Sequence, residues 1–112
     1  MAIDQVAENN QENQTDPVLE AVKLALDVTA EEYDSEITDL IAAAKLDMKA
    51  SGVDVDTLGS DKLVLQAIKT YCRMNFQSPA DYDRLAHSYE QQLTKLMHAT
   101  GYTNYGEEAV NG

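Results

Sequence analysis

Apolar residues along this chain recur at helical rather than strand spacing. Between residues 17 and 28, Val18, Leu19, Val22 and Leu26 fall on one side of a short helix. Asp16 followed by Pro17 supplies the start signal, an acidic cap and a proline at the first helical position. From 29 to 50, Tyr33, Ile37, Leu40, Ile41, Ala44 and Met48 make one amphipathic face. Thr29 and Glu32 stand three apart, as in a reciprocal capping box. Gly52 stops this helix. Residues 52–60 read as a polar linker whose Val53, Val55 and Leu58 tuck back onto the core. A third long helix, capped by Ser60 or Asp61, runs to Phe76 with Leu65, Ile68, Cys72 and Phe76 as its narrow core face, flanked by Val64, Ala67 and Tyr71. A fourth starts at Ser78-Pro79, with Asp81 in its first turn, and ends near Gly101; it carries Tyr82, Leu85, Ala86, Tyr89, Leu93, Leu96 and Met97. No strand pattern of credible length intervenes. The expected fold is all-α: a small bundle of about four helices over residues 17–101, with a polar tail at 1–16 and a second tail at 102–112, both flexible.

Charge changes this picture more than composition does. The 112 residues hold 20 acids against 8 lysines and arginines, a formal net charge of −12. Such a surface does not bind nucleic acid through phosphate contacts, nor anionic lipid. The charge is also uneven: −4 over residues 1–26, −8 over 27–61, +2 over 62–100 and −2 beyond. A solvated surface arises this way, and so does a subunit whose acidic face meets the basic face of a neighbouring copy. The apolar runs are too short to span a membrane, and Met1-Ala2-Ile3-Asp4-Gln5 resembles neither a signal peptide nor an anchor.

Candidate chemistry is sparse. Cys72, the single cysteine, lies on an apolar seam and reads as a small core residue. Asp83 and His87 stand four apart, but no third metal ligand has suitable spacing, and His98 is remote. The carboxylates of 31–39 crowd a helix start, where the helix dipole favours anions. The glycines form no phosphate loop. No catalytic residue, metal or cofactor is expected. The tyrosines Tyr33, Tyr71, Tyr82 and Tyr89 belong to core or subunit packing. Tyr102 and Tyr105, beyond the last helix, either fold back on the bundle or anchor the tail in a partner.

Three stretches carry a family likeness: VLEAVKLALDVTAEEYDSEITDLIAAAKLDMKASGVD (18–54), LVLQAIKTYCRMNF (63–76) and SPADYDRLAHSYEQQLTKLMHATGYTNY (78–105). Their order, spacing and the closing Ala-Thr-Gly-Tyr-Thr resemble the head–tail connector, or adaptor, proteins of tailed bacteriophages, in the branch from Gram-positive-type phages. The Asn/Gln-rich extension before residue 17 departs from that pattern. The resemblance implies a structural virion protein of the neck, assembled in the host cytoplasm. It implies a homo-oligomeric ring of about twelve subunits beneath the portal protein. Such a ring extends the DNA channel and docks the head-completion or stopper protein and then the tail. DNA passes through without specific binding, and no membrane is involved. By position, Gly101, Tyr102 and Tyr105 fall at the portal contact. The acids Asp34, Glu36 and Asp39 line either the channel or the seam between subunits. The alternative is an acidic helical regulator or DNA mimic that binds another protein. A small terminase subunit would need a basic helix-turn-helix, for which this chain is too acidic.

Overall fold

A computed structural model describes residues 16–58, 61–99 and 101–102. The expected tails lie almost wholly outside the described residues. The fold is all-α, as its periodicity predicts, and no strand occurs among the described residues. Helix α1 spans Pro17–Leu26, α2 Asp34–Ala50, α3 the single turn Val55–Leu58, α4 Lys62–Asn75 and α5 Tyr82–His98.

Helix α1 begins as expected, with the Asp16 carboxylate accepting from the Val18 N–H at 2.9 Å and Pro17 at the first position. It ends with Asp27 in the left-handed region (φ 62°). The Asp27 N–H donates to the Leu24 carbonyl and the Val28 N–H to that of Lys23, at 3.1 and 2.9 Å. That paired Schellman arrangement usually takes glycine. Asp27→Gly is therefore expected to stabilise the domain by about 0.5–1 kcal/mol, read as a raised urea midpoint. Helix α2 ends the same way, with Gly52 at φ 103°, the Gly52 N–H on the Lys49 carbonyl and the Val53 N–H on that of Met48.

Two helix starts differ from expectation. The Thr29/Glu32 capping box gives way to a 3₁₀ turn at Glu31–Tyr33, and neither Ala30 nor Tyr33 supplies a side-chain cap. Tertiary contacts take precedence there: Tyr33 stacks edge-on against Phe76 at 5.6 Å, and Asp34 pairs with Lys23. At the last helix, Ser78 is not the cap. Gln77 and Ser78 both take left-handed backbone (φ 57° and 48°), which a cap residue does not adopt. The helix starts instead at Tyr82, after Asp81, whose carboxylate pairs with Arg84. The linker also holds more structure than its polarity suggests, because Val55 begins one helical turn and Val53 and Val55 are buried.

Helix α4 is central. It packs against α1, α2 and, most extensively, α5. Val64, Ala67, Ile68 and Cys72 are fully buried. Its core face is thus wider than the expected Leu65–Ile68–Cys72 seam, and Leu65 sits half-buried at its edge. Val22, Ile37, Ala44 and Met48 close the core from α1 and α2. Leu85, Tyr89 and Leu96 are the buried residues of α5. Tyr82 and Met97, expected on that face, are exposed.

Candidate functional site

The C-terminal turn is tied to the start of α4. Asp61 is the α4 cap: its carboxylate accepts from the Leu63 and Val64 N–H groups at 2.8 and 3.4 Å. The same carboxylate accepts from the Tyr102 hydroxyl, at 3.1 and 3.0 Å to its two oxygens. A third tie runs from the Asp54 N–H to the Tyr102 carbonyl at 2.9 Å. The Tyr102 N–H closes a tight turn on the Ala99 carbonyl at 3.2 Å. Gly101, third in that turn, has φ 93°, and a Cβ there would meet nothing within 4 Å. Glycine is needed for backbone conformation, not for space.

Tyr102 therefore folds back on the bundle and packs half-buried against its core. Tyr105 lies outside the described residues. Partial burial opposes ionisation of Asp61, but the Leu63 N–H, the Tyr102 hydroxyl and the Val64 N–H together hold its carboxyl below the usual range. The bond to Asp61 in turn raises the Tyr102 phenol. Tyr102→Phe is expected to let the Asp61 carboxyl rise, seen as an upward shift of its carbon-detected NMR titration. A depressed group contributes stability above its unfolded pKa and loses it as the pH falls through its folded value. The variant should thus lose part of its stability advantage on the neutral side of about pH 4. An Asp61 titration unmoved by the substitution would refute the hydrogen bond.

The three acids singled out on α2 do not share a face. At 100° per residue, positions 34 and 36 point in nearly opposite directions. Asp34 turns inward, 2.6 Å from the Lys23 ammonium. The Lys23 side chain is only 9% exposed, which would be costly without that partner. Asp34 holds the Lys23 pKa above its ordinary value despite the burial that opposes it. Glu36 and Asp39 are exposed together on the outer side. Helical periodicity assigns Lys23 no inward role, since it sits beside Val22 on the flank of the apolar stripe. Its standing as the sole base among the first 26 residues was the available signal.

Cys72 and Tyr89 are buried in the core. Burial pushes the Cys72 thiol up to about 12, so at neutral pH it is an unreactive core group. The Tyr89 hydroxyl donates to Asp47 of α2 at 2.6 Å, and its ring meets Tyr71 edge-on at 5.4 Å. Burial, then that carboxylate, drives its phenol far above the usual value. Among the described residues, no three of His, Cys, Asp and Glu come together to hold a metal, and no helix is long and apolar enough to cross a membrane.

The candidate residues that the structure describes thus fall in two places, a C-terminal turn pinned to Asp61 and the N-terminal part of α2, where Glu36 and Asp39 are exposed. The model of a family described as phage connector protein matches residues 18–103, which takes in the described helices from the second residue of α1 onward and the Gly101-Tyr102 turn. No curated protein and no solved structure matches the chain. With the match running from α1 through that turn, the chain belongs to the phage connector protein family.

Proposed function

We propose that this chain is a structural head–tail connector, which assembles as a ring of about twelve subunits beneath the portal. The ring extends the DNA channel and receives the head-completion or stopper protein and the tail, in the neck of the virion. The family match over residues 18–103 carries the reading. The net charge of −12 supports it, since an acidic channel lets DNA slide without adhering.

In this reading Gly101 and Tyr102, with Tyr105 beyond them, form the portal contact. Their support is the turn that fixes Tyr102 at one end of the bundle. Glu36 and Asp39 present charge to the channel or to the subunit seam, while Asp34 supports α2 through Lys23. The work is contact rather than catalysis, and no cofactor enters it. The test is electron microscopy of purified protein mixed with portal rings of the same phage. A stoichiometric ring below the portal is the expected image; bare portals at saturating protein would overturn the reading.

A further inference from the structure

Helix α4 is unusual within so acidic a chain. Its fourteen residues contain Lys62, Lys69 and Arg73 and no acid. At helical spacing these cations and Gln66 form one narrow stripe on the side of α4 away from its three neighbouring helices, with Lys62, Gln66 and Arg73 exposed and Lys69 half-buried. None of the three makes an ion pair with a described residue, although Arg73 lies close enough to Asp81 to help lower its carboxyl. Leu63, 49% exposed, flanks the stripe at its start.

Helix α2 carries the opposite surface. Behind its buried face lies a second, outward one: Glu36 and Asp39 at one end, then Ala42, Leu46 and Ala50. Leu46 is 67% exposed. A helix with apolar residues on both sides is commonly covered on both. The spacings match in reverse. Glu36 to Leu46 and Leu63 to Arg73 are each ten residues, roughly 15 Å of helix.

We propose that the Lys62–Gln66–Lys69–Arg73 stripe docks antiparallel on the outer face of α2 of a second copy. Lys69 and Arg73 meet Glu36 and Asp39 of that copy, and Leu63 meets its Leu46. Donor and acceptor faces lie on different helices, so the contact runs head to tail and every subunit can use both. Duplex DNA is the weaker occupant: three cations give few phosphate contacts, against twelve net negative charges on the chain. The inference rests on the connector reading for its purpose, but it is tested separately.

The experiment mixes isotope-labelled and unlabelled full-length chain at millimolar concentration and treats it with a carbodiimide, which joins touching carboxylates and amines. Heavy–light links from Lys69 to Glu36 or Asp39 are expected; links from Lys62 to those acids would indicate the parallel arrangement and overturn the proposal. In sedimentation velocity, K69E/R73E and E36K/D39K should each weaken association about tenfold or more. Mixing the two variants, or combining all four substitutions, should restore it. Absence of heavy–light links at Lys69 overturns the proposal without recourse to the variants. Association that persists in both variants places the seam elsewhere and leaves the connector reading intact. Wild-type binding to a short DNA duplex that K69E/R73E abolishes would assign the stripe to DNA instead.

Discussion

Ile68→Ala is expected to lower the unfolding free energy by about 2–5 kcal/mol, measured by urea denaturation followed at the helical circular-dichroism band. Ile68 is fully buried on α4, the helix that α1, α2 and α5 all contact. Its loss removes transfer free energy and leaves a cavity that three helices would have to move to fill. A domain of this size holds only about 4–13 kcal/mol in total, at roughly 0.05–0.15 kcal/mol per residue. The substitution therefore takes a large share, and it should lower Tm by about 8 °C or more, at roughly 4–8 °C per kcal/mol. Leu46→Ala is the matched control: with Leu46 mostly exposed, a change within about 0.5 kcal/mol is expected in the isolated subunit. Equal losses from the two would mean that α4 does not occupy the centre of the bundle.

The second large effect is alkaline destabilisation. The Cys72 thiol rises from 9.0 to about 12 because burial disfavours the thiolate. A group raised in the folded state contributes stability that is complete below its unfolded pKa and lost as the pH climbs through its folded one. The window is thus about pH 9 to 12, and roughly 4 kcal/mol would be lost across it, at 1.36 kcal/mol per unit. Tyr89 and Lys23 shift the same way, Tyr89 through burial and the Asp47 bond, Lys23 through its pairing with Asp34. Unfolding free energies measured by urea at pH 8 and pH 11 should differ by several kcal/mol in the wild type. Cys72→Ala, at the cost of a small cavity at neutral pH, should flatten that difference. An unchanged slope would show that the thiol ionises freely in the folded chain.

What the sequence made legible follows the range of the forces involved. The buried face of α2, Ile37, Ile41, Ala44 and Met48, is a local periodicity, and it is found where the 3.6-residue repeat puts it. The Asp16-Pro17 start and the Gly52 stop depend on two or three neighbouring residues and were equally readable. The rest depends on residues far apart in the chain. The capping box at Thr29 was locally sound, yet Lys23, Phe76 and their partners impose a 3₁₀ turn there. Ser78 looked like a cap, but the reversal between α4 and α5 needs left-handed backbone at that residue. Asp61 was recognisable as a cap from its place before α4. Its bond to Tyr102, 41 residues away, has no local signature. Likewise, the 3.6-residue repeat already sets Asp34 apart from Glu36 and Asp39, but only the position of Lys23 shows that Asp34 is the one turned inward.

Helix α5 rests chiefly on α4; among the described residues the Tyr89 hydroxyl ties it to Asp47 of α2, and the turn after it is held by Asp61 and Asp54. In exchange kinetics this gives the domain two tiers. The amides of α4 are expected to exchange only by global unfolding, whereas α5 can lift as a unit at a lower free energy by leaving α4 and breaking the Tyr89–Asp47 and Tyr102–Asp61 bonds. Deuterium should therefore enter α5 before α4, and as a block. The last helix is then the element that can change its seating while the rest of the connector stays folded.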